Sequence, residues 1–465
     1  MRIPKLTFRL ALLLIITGCA HYQAQPITLA ELSFAQGKRT LAAGCSTAAN
    51  ADAPTFAKLD YSEAELVAAA ECFNPELARA KAATQLASAN GELARRYPGL
   101  ALVVSAEYAR KAPESSKWLR GFSLDLPLDF GARKAVRIEA AMQAQALSTI
   151  EIALAKRALA GKVAASVAAI NAAINEQALL QTRAQQAQVW LKFVDQRILE
   201  GQAARPERLK PQQELLLTQA ALLRAQTSER IARSELAQAL GVPLAQVLNL
   251  RLQAARSVSA LNSAATLNLL PKQDSANRQA ALLARPELLR ALGQYQLAEL
   301  ALRLEFAKQY PELHLAPGYI WERGLVKLPL ALSALLPPLD GNRSAIAVAL
   351  AARTLAAREL ELVQANISAE IDLAFANRDA ALSALTLGSQ QIELAKTELG
   401  SAQAAFEAGE LDQLGRLSAQ FHLNDQLLAA HALQVQLQLA ERALAQALAI
   451  APSAESAASH PEEKN

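Results

Sequence analysis

Apolar and polar residues alternate from Phe122 to Phe130, and a long run of helix-forming residues follows. Every second residue of the segment is apolar, with Ser, Asp, Pro and Asp between them. Because successive side chains of a strand point to opposite faces, the alternation predicts a strand with one apolar and one polar face. After Gly131, the proline-free run from Ala132 to Leu199 predicts a helix of roughly 68 residues, about 100 Å long. This pair of elements is what a tube needs to cross a membrane and then a wide aqueous space.

Two short helices and a second strand are predicted before this pair. The first helix covers 62–72, and the second runs from Pro75 to about residue 96, with Asn74 as its N-cap. Residues 100–108 alternate in the same way as 122–130, so the two strands form a predicted hairpin.

The long helix is followed by a glycine turn and a shorter helix that runs to Leu240. Pro211 near its start predicts either a late beginning or a bend. Leu209, Leu216 and Leu223 lie seven residues apart, which is the spacing of a coiled-coil seam.

The same order of motifs recurs about 210 residues further along the chain, far beyond the 20–50 residues of solenoid repeats, so the chain is a duplicated half-molecule. The second half again predicts a helix (286–309), two strands (313–321 and 326–332), a long helix (343–406) and a last helix that ends near Ile450. The recurring segments are 74–77 and 285–288, 96–98 and 309–311, 126–133 and 336–343, and 199–201 and 407–409.

The last helix carries two apolar stripes that lie about 200° apart around its axis. A helix in a two-stranded coil needs one stripe, whereas a helix in the wall of a tube touches a neighbour on each side. The pattern therefore favours a tube. The stripes are Leu414, Phe421, Leu428 and Val435, and Leu423, Ala430, Leu437 and Leu444.

The N-terminus has the features of a bacterial export signal. Basic residues precede the short apolar segment from Leu10 to Ile16, and the sequence then reads Ile16-Thr17-Gly18-Cys19. This motif resembles a lipobox, in which Cys19 would become the lipidated first residue of the mature chain, and Ala20 resembles a signal for outer-membrane sorting. The alternative is an ordinary signal peptide with an incidental cysteine. Cys45 and Cys72 either pair in the oxidising periplasm or remain as two thiols.

The predicted organisation is a signal peptide and five further segments. These are 1–18 as signal peptide, 19–61 as a lipidated extended segment, 62–244 as the first repeat, 245–284 as a linker, 285–450 as the second repeat and 451–465 as a disordered tail. After the N-terminus no run of eighteen apolar residues predicts a transmembrane helix. The formal net charge of +4 is not clustered, which argues against a nucleic-acid partner.

The hairpins supply about four strands, and four strands cannot close a transmembrane barrel, whose smallest single-chain form has about eight. If the hairpins enter a membrane, several chains must therefore share one barrel. Aromatic residues cluster at the hairpins, as interfacial aromatics of a barrel would; the alternative is packing inside a soluble β-layer. They are Tyr108, Trp118, Phe122, Tyr319 and Trp321.

These motifs, in this order and repeated twice, resemble the TolC-like outer-membrane efflux proteins over about residues 62–450. The motifs are Asn74-Pro75-Glu76-Leu77 and Arg285-Pro286-Glu287-Leu288, the Tyr-Pro pairs at 97 and 310, the strand end Leu126-Pro127-Leu128-Asp129-Phe130-Gly131 and the glycine turns. The resemblance implies a mainly helical homotrimer with a periplasmic α-barrel. Each chain would contribute four strands to a shared twelve-stranded β-barrel in the outer membrane. It further implies export of solutes together with a periplasmic adaptor (a membrane fusion protein) and an inner-membrane transporter.

The chain departs from this family at the predicted periplasmic tips, near Gly201 and Gly409. Family members carry aspartates just past the second turn, where Gly415 and Ser418 align here. We expect the polar residues nearer the turns to form a gate, although acids at a helix start are also favoured by the helix dipole. These residues are Arg205, Arg208, Glu410 and Asp412.

No catalytic, cofactor or metal site is predicted. The histidines do not have the spacing of metal ligands, and phosphate-loop and nucleophile-elbow motifs are absent from the sequence. The two histidines of the last helix, His422 and His431, are expected to face different sides. The sequence therefore predicts an export channel, not an enzyme. The alternative is a lipid-tethered periplasmic coiled-coil scaffold or adaptor, which would not need duplicated amphipathic hairpins.

Overall fold

The computed structural model describes residues 22–29, 31, 60–97, 99–108, 110, 117–128, 132–252, 275–322 and 324–449. The chain divides into two units, Met1–Phe56 and Ala57–Asn465. In the first unit the described residues are exposed. The predicted signal peptide, Cys19, Cys45, the strand end at 129–131 and the predicted tail lie outside the described residues.

The first repeat contains the predicted helices and hairpin, with the long helix at its predicted bounds. The predicted turn after it is followed by a short 3₁₀ segment, Arg205–Arg208. The elements are β1 (Asp60–Tyr61), α1 (Glu63–Phe73), α2 (Pro75–Arg95), β2 (Ala101–Tyr108), β3 (Trp118–Leu128), α3 (Ala132–Leu199), α4 (Leu209–Leu240), α5 (Leu244–Val247) and β4 (Arg251–Leu252).

The second repeat has the same order, except that its last strand is interrupted. The elements are α6 (Ser275–Leu283), α7 (Pro286–Ala307), β5 (Glu312–Glu322), β6 (Leu325–Lys327), β7 (Leu330–Leu335), α8 (Arg343–Glu407) and α9 (Gln413–Ala447). The single strand predicted over 326–332 was wrong, because proline has no N–H to donate to the ladder and Pro329 separates β6 from β7. Pro329 still accepts a hydrogen bond from Gly318 N–H, at 2.8 Å, so the two pieces continue along β5.

The strands form an antiparallel sheet in the order β2, β3, β5, with β6 and β7 both paired to the far side of β5. The predicted first hairpin is confirmed, since Tyr108 lies opposite Trp118 and Ala101 opposite Asp125. The first repeat joins the second through β3 and β5, where Phe122 lies opposite Tyr319. A second, two-stranded parallel sheet of β1 and β4 was not predicted, because each strand has only two residues.

The helices lie side by side in a wall with four helix positions across it. Near the sheet the order is α2, α3, α7 and α8, and at the other end it is α4, α3, α9 and α8. The position of α9 between α3 and α8 confirms the neighbour on each side that its two stripes predicted. Phe421 of one stripe packs against Trp190 of α3, with ring centroids 5.5 Å apart. Ala430, Leu437 and Leu444 of the other stripe are buried.

The shorter helices are stacked end to end beside α3 and α8. At the first joint Asn74 is buried; its side-chain oxygen accepts hydrogen bonds from Glu76 N–H and Leu77 N–H, and its Nδ2 donates to Ala239 O of α4 at 2.8 Å. At the second joint the buried Arg285 donates to the carbonyls of Gln446 and Ala447 at the end of α9. Each joint thus satisfies carbonyls that a helix end leaves without partners.

Among the helices of the described residues, one, Ala132–Leu199, is long and apolar enough to cross a membrane by length and composition alone, with an 18-residue window of mean hydropathy 1.3. Because α3 packs against helices on both of its sides, 39% of that window is already buried within the chain. Its apolar character is therefore explained in part by its place in the wall.

Candidate functional site

One face of the sheet is apolar and exposed. The register places most of the large apolar side chains of the paired strands on the same side, and many of them are exposed. Leu102, Val104 and Leu332 are 63%, 72% and 65% exposed. The set comprises Leu102, Val104, Tyr108, Trp118, Phe122, Leu124, Leu126, Leu128, Leu313, Leu315, Tyr319, Trp321, Val326, Leu330 and Leu332.

The five aromatic residues singled out from the sequence all lie on this apolar face. Tyr108 and Trp118 meet edge to face with ring centroids 5.1 Å apart, and Phe122 stacks on Tyr319 at 5.6 Å. Tyr108 and Phe122 are 51% and 50% exposed. Packing inside a soluble β-layer would have buried them, so the exposed cluster favours the membrane interpretation.

The opposite face carries most of the charged and small residues of the sheet, together with a few large apolar ones. These are Val103, Leu119, Ile320, Leu325 and Leu335. Of the charged side chains in the described strands of this sheet, all but Arg120 belong to this face. Two glycines keep it flat: a Cβ on Gly121 would come within 3.0 Å of Ser105 Oγ and Ile320, and one on Gly318 within 3.1 Å of Pro329. The charged members are Glu107, Asp125, Glu312, His314, Glu322 and Lys327.

The wall of helices has two edges, formed by the stacked α2 and α4 on one side and by α8 on the other. The leucines predicted to form a seam, Leu209, Leu216 and Leu223, are 66%, 58% and 64% exposed on α4. The residues of α4 that are buried at the same seven-residue spacing are Pro211, Thr218, Ala225 and Ala232. The predicted leucine seam therefore does not pack within this chain, because small residues bring α4 close to α3 and the leucines face away.

The other edge carries a matching stripe. Val348, Leu355 and Leu362 lie seven residues apart on α8 and are 71%, 61% and 59% exposed. Leu373, Leu387 and Leu394 continue the stripe toward the end of the helix and are 61%, 62% and 71% exposed. Both edges of the chain thus present apolar side chains at coiled-coil spacing.

The two turns at the far end of the long helices have the same geometry. Gly201 and Gly409 have φ angles of +73° and +77°. In each turn the next residue closes a 6→1 hydrogen bond, from Gln202 N–H to Arg197 O at 2.8 Å and from Glu410 N–H to Ala405 O at 2.9 Å. Glycine ends both helices because only it adopts this conformation without strain.

The candidate gate residues are exposed around these turns, and the structure gives two of them local partners. Arg208 bonds Asp195 of α3, with Nε 2.6 Å from Oδ1. Asp412 is the N-cap of α9 and accepts a hydrogen bond from Gly415 N–H at 2.8 Å. Arg205, Glu410 and Ser418 are exposed. Whether these residues form a gate stays a prediction.

Above the tips, Arg183 of α3 holds three helices together. It donates to Glu214 of α4 at 2.6 Å, bonds Asp425 of α9 and lies 5.5 Å from the Phe421 ring centroid. Burial acts to lower the pKa of Arg183, but its hydrogen bonds with Glu214 and Asp425 outweigh this and raise it. Sequence reasoning missed this residue, since its partners lie 31 and 242 residues away along the chain.

The described histidines have separate partners. His422 lies 2.6 Å from Glu398 of α8, and His431 Nε2 lies 2.9 Å from Ala172 O of α3, so the two face different sides, as predicted. His314 lies in the sheet, next to Asp125. Among the described residues there is no cluster of His, Cys, Asp and Glu that could hold a metal ion. Cys72 is disulfide-bonded.

Comparison with known proteins agrees with this geometry. Residues 66–242 match the sequence model of the outer membrane efflux protein family. No curated protein sequence matches the chain. Among solved structures, the outer membrane protein VceC from Vibrio cholerae is 17% identical, with a TM-score of 0.68 over 83% of this chain and 95% of its own.

Two further channels have the same fold. The Campylobacter jejuni CmeC outer membrane channel is 14% identical, with a TM-score of 0.68 over 83% of this chain and 85% of its own. The open state of the Neisseria gonorrhoeae MtrE outer membrane channel is 18% identical, with a TM-score of 0.60 over 83% of this chain and 88% of its own. The fold is therefore that of TolC-like outer-membrane channels. With the family match, this confirms the resemblance to TolC-like efflux proteins.

Proposed function

We propose that the chain is the outer-membrane channel component of a tripartite efflux or export system and passes solutes from the periplasm to the exterior. The observation that carries this proposal is a sheet with an exposed apolar face and two open edges, attached to helices about 100 Å long. Its strands occupy four positions, because β6 and β7 lie one after the other along β5. In lipid, backbone groups at an open edge have no partners, so the sheet must be closed by other strands.

Closure by further copies of the same chain fits both parts of the molecule. Three copies would supply twelve strands, enough for a transmembrane barrel. The same arrangement would bring the α8 edge of one copy against the α2 and α4 edge of the next, where both stripes are apolar. A homotrimer therefore covers the exposed strand edges and the exposed leucines at once.

A channel in the outer membrane also needs a source of energy and a link to it. Nothing in the sequence resembles a nucleotide-binding motif, so energy for transport comes from an inner-membrane transporter, reached through a periplasmic adaptor that grips the tips. Lipidation of Cys19 would add an anchor in the outer membrane, while the helices extend into the periplasm.

The alternative function, a lipid-tethered periplasmic scaffold, is disfavoured by one observation. A scaffold in water would expose the apolar sheet face to solvent, and an exposed apolar patch of this kind marks a membrane or protein contact.

Membrane fractionation with native mass spectrometry tests the proposal. We expect trimers extracted from the outer membrane by detergent, and loss of export when the gene is deleted. The Cys19→Ser variant should lose the lipid and still insert, because the barrel itself holds the protein. A stable monomer in membranes would contradict the channel, and a fully soluble monomeric Cys19→Ser variant would favour the scaffold.

A further inference from the structure

A cluster of titratable side chains lies at the end of the sheet that joins the helices. His314 of β5 lies diagonally across from Asp125 of β3, with Nδ1 3.0 Å from Oδ1. Its other ring nitrogen, Nε2, lies 3.8 Å from Glu312 Oε1. Glu312 in turn accepts a hydrogen bond from Arg133 of α3 at 3.0 Å. The imidazole thus has a carboxylate on each side.

The cluster has a fixed place, because its supports belong to the rigid ends of neighbouring elements. Arg133 also donates to the carbonyls of Ala307 and Tyr310, at 3.2 and 2.6 Å, so it ties the end of α7 to the start of α3. The His314 and Asp125 side chains are 24% and 37% exposed, so solvent reaches both. We name His314, Asp125 and Glu312 the neck cluster.

The neck cluster belongs to the polar face of the sheet. Residues opposite His314 in the ladders are Pro127 and Ser333, which carry no charge. The described charged groups that face the imidazole are therefore Asp125 from β3 and Glu312 from β5, with Arg133 behind Glu312 from α3. When the apolar face contacts lipid, the polar face lines the lumen, and three copies of the cluster encircle it at one level.

We propose that the neck cluster is a proton-responsive charge filter in the channel lumen, with His314 as the residue that sets its charge. This rests on the proposed channel function. When His314 is neutral, the cluster with Arg133 has a net negative charge, because Arg133 balances Glu312 and leaves the carboxylate of Asp125. This charge favours cations over anions in the lumen. Imidazole in general is the side chain that serves as a switch near neutral pH, and a proton on His314 would add one positive charge per chain beside Asp125 and Glu312. The class of solute affected is small ions and charged organic solutes.

Reversal potentials in planar bilayers with a KCl gradient test the filter. For the wild-type trimer we expect the cation-to-anion permeability ratio to fall about twofold or more between pH 8 and pH 5.5, and less at high salt, because ions screen the field. The His314→Gln variant should lose this pH dependence. Asp125→Asn should lower cation preference at pH 8. The His422→Gln variant, in which the changed histidine lies on α9, should keep the wild-type response.

The outcomes separate the two proposals. If the wild-type protein forms no channels at all, the proposed function fails. If His314→Gln channels form and keep the wild-type pH dependence, the charge filter is wrong and the channel function stands. If His314→Gln does not assemble, the Asp125→Asn channels decide: unchanged cation preference at pH 8 contradicts the filter.

Discussion

Asn74 and Arg285 occupy equivalent places in the two repeats. Both bind carbonyl groups that are left without partners at a helix end, one through an amide and the other through a guanidinium. Each is buried at a joint where one helix ends against the start of another, and each donates to the last carbonyls of the helix that ends there. The side-chain amide of Asn74 also caps the N-terminus of α2. The guanidinium of Arg285 is instead neutralised by the carboxylates of Glu287 and Glu370, which lie 3.0 and 2.6 Å from its nitrogens. A buried arginine without such partners would be costly.

Gly241 gives a prediction at the first joint. Its φ is +70°, and a Cβ there would lie 2.6 Å from Phe73 O. Gly241→Ala should therefore lower the free energy of unfolding by at least about 1–2 kcal/mol. Gly400→Ala is the matched control: it lies within α8 with nothing inside 4 Å, and should stabilise by about 0.5–1 kcal/mol. Thermal unfolding in detergent measures both, and equal effects would contradict the role given to Gly241.

Glu441 of α9 gives a prediction that depends on pH. Burial raises the pKa of its carboxyl, and Arg378 only partly offsets this. A raised pKa in the folded chain means that this carboxylate costs stability as the pH rises through that pKa. Glu441→Gln should therefore raise the Tm at pH 7, by at most a few degrees, and have less effect at pH 4. The exposed Glu359→Gln is the control; a lower Tm for Glu441→Gln at pH 7 would contradict this reasoning.

At the scale of elements, the two edge stripes decide how copies of the chain meet. Heptad spacing in the sequence revealed the leucines of α4, but it did not show which face of the helix they occupy. The faces are set by Thr218 and Ala225, whose small size lets α4 approach α3. Each stripe is apolar along its length and exposed in the single chain, so we expect another copy of the chain to cover it.

Charge placed on the stripe should separate the copies and leave each chain folded. We expect Leu216→Glu combined with Leu387→Glu to reduce the trimer fraction in native mass spectrometry, because a buried unpaired carboxylate is costly. Helical content by circular dichroism should be unchanged, since both leucines are exposed in the single chain. Arg224→Glu, exposed on α4 roughly a quarter turn from the stripe, is the control. An unchanged trimer fraction in the double variant would mean that the two stripes do not form the interface between copies of the chain.

Much of this architecture could be predicted from the sequence, because long helices and alternating strands carry periodic signals. The bounds of α3 and the glycines at the tips were predicted from such local patterns. Arg183, the joints at Asn74 and Arg285 and the neck cluster depend on contacts between residues 31 to 242 positions apart, and no local pattern encodes them. The break at Pro329 had a local signal, which the alternation around it hid.

At the scale of the whole molecule, the tips remain the place to look for a gate. In a trimer the two kinds of tip alternate, so we expect Arg205 of one tip to lie near Glu410 of the next. Since Asp412 caps its own helix and Arg208 bonds Asp195, their share in closing the channel is smaller than their charges suggest. Exposed pairs contribute only about 0–1 kcal/mol each, so charge can bias the gate but cannot lock it.

The double variant Glu410→Ala, Asp412→Ala tests this bias. We expect a higher single-channel conductance and altered drug sensitivity, because the attraction between tips is lost. Arg205→Ala should act in the same direction. Unchanged conductance and sensitivity in both variants would mean that packing, not charge, closes the tube.

The two helix joints have a mechanical consequence. Both lie beside one short stretch of α3, since Lys162 pairs with Glu76 and Arg157 with Glu287. In the wall, the continuous helices α3 and α8 alternate with two stacked pairs of shorter helices, α2 with α4 and α7 with α9. Both pairs are interrupted at the same level along the wall. A wall bends most easily where its elements are interrupted, so we expect an assembled trimer to bend most easily at the level of the two joints. We expect the ends of the helices near the tips to move apart more readily than the part of the wall near the sheet.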